Sequence, residues 1–178
     1  LINPSEIFLA EKSDGMIFAA REGKRTLLLE MQALALNSDY NNPRRVANGI
    51  EISRLHQILA IVEKKLGVSL SKSDIYLNVV GGMTIRDTAA DLSIALAVYN
   101  SITNQANLSN VVALGELGLS GEIRAVTDIE ARIKECIKLG YKTIIIPESN
   151  YKKLRDLDKE AKIIPVNNIA LVIDELTH

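Results

Sequence analysis

The sequence has no tryptophan, two phenylalanines and five tyrosines in 178 residues. Its core must be aliphatic, and base stacking on an aromatic platform is not the expected mode of binding a nucleic acid. It has one cysteine, Cys136, so no intrachain disulfide can form, which fits a reducing, cytoplasmic compartment. That thiol with His56 and His178 cannot complete a four-ligand His/Cys zinc site. No apolar run reaches the length of about 18 residues that a membrane-crossing helix needs. The opening residues Leu1 to Glu6 lack the basic region and apolar stretch of a signal peptide. An excess of one charge is missing too. With 21 Lys and Arg against 22 Asp and Glu, the net charge of −1 excludes binding of nucleic acid by bulk positive charge alone.

What is present is a foldable chain, 47% hydrophobic and 24% charged. Its length suits one domain over residues 1–178. It opens with Leu rather than Met and reads as a piece of something longer.

The hydrophobic pattern predicts strands over residues 16–20 and 26–36, joined by a polar hairpin from Arg21 to Arg25. Leu55, Ile58, Leu59, Val62 and Leu66 fall at helical spacing, with Ser53 as the expected N-cap and Gly67 as the C-terminal stop. A strand over 75–80 ends at Gly81-Gly82. A helix that is apolar on most sides follows over about 89–102, opened by a capping box from Thr88 to Asp91. Two strands, 111–117 and 122–126, flank the turn Gly118-Leu119-Ser120-Gly121. Thr127 and Glu130 form a second capping-box pattern before a helix with Ile129, Ile133, Cys136 and Ile137 on one face, stopped at Gly140. A strand over 142–146, a short helix near Asn150, a strand over 163–166 and a helix from Asn168 to Leu176 complete the chain. A β-rich beginning followed by βα units implies an α+β or α/β fold.

Several chemistries are absent. There is no Gly-x-x-x-x-Gly-Lys-Ser/Thr loop for phosphates and no Gly-x-Ser-x-Gly nucleophile elbow. Gly115, Gly118 and Gly121 suit a hairpin better than a dinucleotide loop, and Gly81-Gly82 reads as a turn rather than an anion site. His56 is expected on the surface, and Cys136 as a buried thiol.

Val79-Val80-Gly81-Gly82, Ala90-Asp91-Leu92, the run from Gly115 to Arg124, and Lys142 to Pro147 resemble the C-terminal Lon-protease-like domain of the RadA (Sms) family of bacterial DNA-repair ATPases. Asn3 to Phe8 and Asn42-Pro43-Arg44-Arg45 resemble it as well. The likeness implies a Lon-protease-like (ribosomal protein S5 domain 2-like) fold. More distantly, the same region is similar to the proteolytic domain of Lon peptidases, which use a Ser–Lys dyad. In the matching segments the nucleophile position is Ala90, or Ala89 in a register shifted by one, and the base position is Glu130. A methyl group cannot attack a carbonyl, and a carboxylate is not the amine base of that dyad. Ser93 with Lys134 or Lys138 is the weak alternative for a displaced pair.

The resemblance therefore implies a non-catalytic domain with no cofactor of its own. It implies a hexameric ring that works with single-stranded or branched DNA during branch migration, and with a recombinase filament as a further partner. ATP, Mg and Zn would belong to N-terminal domains before Leu1, in a DNA-dependent ATPase. Phosphate contacts are made by individual Lys and Arg. Arg44 and Arg45, after a proline and with no acid before Glu51, are the best candidates. Arg21, Lys24 and Arg25 at the first hairpin tip come second, and Arg54 and Arg86 are weaker. The alternative for Arg44-Arg45 is a salt bridge at a subunit or domain boundary.

Overall fold

The structure, a computed structural model, describes residues 15–154 and 157–177. The Asn3–Phe8 segment that carries part of the family likeness lies outside the described residues. The described residues form a seven-stranded mixed sheet and a two-stranded hairpin, with five α-helices. Strands β1 (Met16–Glu22) and β2 (Arg25–Asn37) form an antiparallel hairpin in register from Met16↔Met31 to Glu22↔Arg25. Its turn is Gly23-Lys24, shorter than the predicted polar loop, and Gly23 takes φ 62°, which suits a residue without a Cβ.

Strand β3 (Arg45–Asn48) pairs in parallel with β4 (Ser73–Val79), and β4 pairs antiparallel with β2. On the other side β1 pairs in parallel with β5 (Val111–Ala113), followed by β8 (Thr143–Pro147) and β9 (Lys162–Val166). The order is β3-β4-β2-β1-β5-β8-β9, and four of its six pairings are parallel. This is the expected α/β alternation: a β-rich start, then strands linked by helices.

Every residue from Met16 to Ala20 and from Leu27 to Met31 is buried, so the sheet is covered on both faces at its centre. Helix α2 (Asp91–Thr103) supplies much of that cover against β1, β2, β4 and β5. It is buried from Asp91 to Tyr99, as its all-round apolar pattern requires. Helix α1 (Ile52–Leu66) lies on α2 and β3, and α3 (Ile129–Lys138) lies on β1 and β2. Helices α4 (Glu148–Tyr151) and α5 (Ile169–Leu176) pack on β9. Past Met31 the pattern on β2 changes. Leu34 and Leu36 are half exposed while Ala33 and Ala35 are partly buried, so one face of this end of the sheet is open.

Four local expectations are corrected. Ser53 does not cap α1: the helix starts at Ile52, the cap is Glu51, and no side chain bonds its first amides. Thr88 and Asp91 do not form a capping box. Asp87 is the cap of the 3₁₀ turn Thr88–Ala90, accepting the Ala89 N–H at 3.1 Å, which frees Asp91 for other partners. Thr127 and Glu130 do not form one either. Asp128, at φ 55°, occupies the cap position without a side-chain bond, and Thr127 turns its carbonyl and hydroxyl to Arg132. The predicted strand 111–117 is two strands. At Gly115 the chain leaves the sheet by bonding Ala89 and Leu92, and Glu116–Leu117 (β6) pairs with Ile123–Arg124 (β7) instead. A Cβ at residue 115 would lie 2.7 Å from the Ile123 side chain, so only glycine permits this crossing.

Candidate functional site

The two positions that the resemblance to Lon peptidases leads one to expect for a dyad sit at the starts of α2 and α3. Ala90 ends the 3₁₀ turn that leads into α2 and is 2% exposed. Glu130 lies exposed in the first turn of α3. Neither offers a hydroxyl or an amine. Ser93, one turn into α2, is fully buried, and its hydroxyl donates to the Ala113 carbonyl at 2.5 Å. Lys134 and Lys138 are exposed on α3.

Two ion pairs occupy the surroundings. Arg54 on α1 reaches Asp91 through Nε and Nη2, the first at 2.8 Å, and Asp91 also accepts the Leu117 N–H at 3.0 Å. One buried carboxylate thus joins α1, α2 and the β6–β7 hairpin. Arg132 on α3 is 1% exposed. Its Nη1 donates to Asp87 Oδ2 at 2.6 Å and to the Ala19 carbonyl at 2.9 Å, and its Nε donates to the Thr127 carbonyl at 2.9 Å. Its guanidinium also lies 5.8 Å from the centre of the Phe18 ring. A charge buried so completely persists only with this many partners.

Between these pairs lies a pocket of about 140 Å³ with Ile50, Ile85 and Ile94 in its lining and Arg54, Asp87 and Ala90 among its other walls. Among the described residues no group of three or more His, Cys, Asp or Glu could hold a metal ion. No helix among them is long and apolar enough to cross a membrane. Cys136 is fully buried, and burial pushes its thiol up to about 12, so it is held as a neutral core group. His56 is exposed on α1, as expected.

The basic candidates separate into different environments. Arg45 is half-buried, and its guanidinium donates to the carbonyls of Leu70 (2.8 Å), Arg44 (3.2 Å) and Ser73, tying β3 to the loop before β4. Arg44 is exposed. Its guanidinium carbon lies 4.5 Å over the centre of the Tyr40 ring and its Nη2 donates to the Tyr40 hydroxyl at 2.7 Å. Its backbone N–H donates at 2.7 Å to Asp74, a bond that, with the Ser38 hydroxyl and the nearby charges of Arg44 and Arg45, holds that carboxyl below its ordinary value. Arg21 is half-buried, 3.5 Å from Asp128, with Nη1 on the Lys24 carbonyl and the Thr26 hydroxyl. Lys24 and Arg25 project from the same hairpin tip and are exposed. Arg86 is exposed at the pocket rim, beside the Arg54 already spent on Asp91. The structure therefore leaves Arg44, Lys24, Arg25 and Arg86 open to solvent and commits Arg45, Arg54 and most of Arg21 to the fold.

Sequence pattern alone does not single out Arg132, Asp87 and Asp91 as ion-pair residues. It carries one signal. Arg132 falls on the same helical face as Ile129, Ile133 and Cys136, and a cation on an apolar stripe needs a buried partner.

Comparison with known proteins adds a lineage to this geometry. Residues 47–150 match the family described as subunit ChlI of Mg-chelatase. The chain is 42% identical over 152 residues to the DNA repair protein RadA of Halalkalibacterium halodurans, covering 83% of this chain and 33% of that protein. It is 43% identical over 152 residues to RadA of Synechocystis, covering 83% and 30%, and 40% identical over 174 residues to RadA of Bacillus subtilis, covering 96% and 38%. The chain thus spans about a third of the length of these relatives.

Proposed function

Because this chain belongs to the RadA family of DNA repair proteins, and over residues 47–150 to the family described as subunit ChlI of Mg-chelatase, we propose that it is a non-catalytic Lon-like scaffold domain, residues 1–178, of a RadA-type repair protein. In this reading the domain supports a hexameric ring in the cytoplasm. It lends single basic contacts to single-stranded or branched DNA, in the vicinity of a recombinase filament. The ATPase that drives branch migration, with its ATP, Mg and Zn, belongs to the rest of that protein. A ring repeats each local contact by symmetry, so a few exposed arginines and lysines suffice at near-neutral net charge.

What supports this reading is that neither position expected for a dyad carries a dyad group. Ala90 presents a buried methyl and Glu130 an exposed carboxylate. The space around them is held by Arg54–Asp91, which joins the first turns of α1 and α2 to the β6–β7 hairpin, and by Arg132–Asp87, whose arginine ties the first turn of α3 to β1. Such a site fixes geometry and has no activated nucleophile. The test is incubation of the purified chain with fluorescein-labelled casein and, separately, with a fluorophosphonate, read by peptide release and intact mass. No release and no adduct are expected. Release that disappears in Ser93→Ala, or an adduct on any serine, would overturn the assignment.

A second reading, an assembly scaffold that never touches DNA, draws support from Arg45, whose donors are spent on three carbonyls. Light scattering that shows a ring, together with DNA affinity unchanged in Lys24→Ala, Arg25→Ala and Arg44→Ala, would favour it.

A further inference from the structure

We propose that Tyr40 and Arg44 form a nucleobase-stacking site for single-stranded nucleic acid at the open end of the sheet. This rests on the DNA-binding reading above and assigns its contact to a different pair from Arg44-Arg45. The scarcity of aromatics argues against an extended platform, and this site needs one ring.

The loop between β2 and β3 is held firmly at both ends. Ser38 donates its N–H to the Lys72 carbonyl at 2.8 Å, and its hydroxyl accepts the Tyr40 N–H at 3.1 Å. At the other end the Arg44 N–H is fixed by Asp74, whose side chain is buried beside β2. Pro43 removes one more backbone freedom. On this braced loop the Arg44 guanidinium carbon lies over the Tyr40 ring, 4.5 Å from its centre. Yet Tyr40 is 55% exposed, one of the most exposed large apolar side chains among the described residues. A stacked pair held out in water stabilises the fold little. It already has the geometry a base would meet, so little side-chain freedom remains to be lost on binding.

Chemistry and charge select the partner. Arg44 lies in no ion pair among the described residues, and its Nε and Nη1 donate to nothing there. Those nitrogens can take a phosphate while the π-face takes a base. Lys72, at the foot of the same loop, is exposed and adds a second cation. Asp39, exposed next to Tyr40, tempers the field, so stacking has to carry more of the affinity than charge. Half-exposed Leu36 lies directly across from Asp74 on β2, at the same end of the sheet as the Arg44 anchor. Duplex DNA buries its base faces within its own stack, so the site discriminates for unpaired bases.

The experiment uses the 178-residue chain and a dT oligonucleotide carrying one 2-aminopurine, with a duplex of equal length as a comparison. Tyr40→Ala is expected to weaken single-strand binding by roughly 5- to 20-fold, the low end of one lost base stack. It should leave the slope of log affinity against log salt unchanged, leave duplex affinity unchanged, and abolish the change in 2-aminopurine emission. Tyr40→Phe, which keeps the ring, should bind within about twofold of the parent. Arg44→Ala should reduce the salt slope by about 0.7, one phosphate contact on a single strand. Thermal melting of each variant checks that the exposed substitutions leave the fold intact. If Tyr40→Ala binds as the parent does while Arg44→Ala or Lys24→Ala weakens binding, the stacking site falls and the DNA-binding reading stands. If the parent chain binds neither oligonucleotide, both fall.

Discussion

Removing the Asp87 carboxylate strands a charge in the core. In Asp87→Ala, Arg132 would remain 1% exposed with bonds only to the Ala19 and Thr127 carbonyls and the Thr127 hydroxyl. Breaking a buried pair from one side costs about 3–5 kcal/mol. The same carboxylate caps the Thr88–Ala90 turn through the Ala89 N–H, and losing a cap costs about 1 kcal/mol more. The expected sum is about 4–6 kcal/mol, a large share of the roughly 5–15 kcal/mol that stabilises a domain. Urea unfolding followed by circular dichroism measures it, and melting should fall by about 8–24 °C at this chain length. Arg132→Met, which replaces the buried cation with an apolar side chain, should cost less. The double variant should be more stable than Asp87→Ala alone, giving a coupling energy of about 1–3 kcal/mol. A cost for Asp87→Ala near 1 kcal/mol with no coupling would show that only the cap matters, and would refute the role given to the pair.

Further consequences concern separate parts of the molecule. Arg45→Met should lower stability by about 1–3 kcal/mol in the same urea assay, because the carbonyls of Leu70 and Ser73 lose a charged donor. Cys136 should resist iodoacetamide at pH 8 in the native state and react on unfolding, since burial raises its thiol to about 12. The folded thiol ionises later than the unfolded one, so its contribution to stability is constant below pH 9.0 and is lost as pH rises from 9.0 toward about 12. A flat stability profile over that alkaline range, after correction for lysine and tyrosine, would count against the burial argument. Gly49→Ala should cost about 2–4 kcal/mol, because its φ of 99° strains a side chain and the new Cβ would lie 2.6 Å from Val79. Gly67→Ala, at φ 68° with open space around it, should cost only about 1 kcal/mol, and equal effects would refute the packing part of that argument.

The parts of the fold legible in the sequence were those written in periodicity and breakers. The two apolar strand segments in residues 16–36, the all-apolar run around Leu92–Val98 and the stops at Gly67 and Gly140 each match the structure to within a residue or two. The misassigned features were those where a polar side chain had two suitors. Thr88–Asp91 and Thr127–Glu130 have the spacing of capping boxes, but spacing cannot reveal that Arg54 reaches Asp91 from 37 residues away or that Thr127 turns to Arg132 five residues on. Arg45 shows the same limit. A dibasic step after a proline reads as solvent-facing, while in the fold its second guanidinium closes on carbonyls 25 and 28 residues away. Long-range hydrogen bonds leave little local trace, and the candidate site is built from them.

DNA binding by a chain with no net positive charge is tested most directly by fluorescence anisotropy of a labelled single-stranded oligonucleotide across a salt series. The predicted result is binding at low salt that weakens with a linear log–log slope, with about 0.7 of that slope lost for each of Arg44→Ala, Lys24→Ala and Arg25→Ala that removes a phosphate contact. Absence of binding at the lowest salt, or a slope that none of the three substitutions changes, would contradict it.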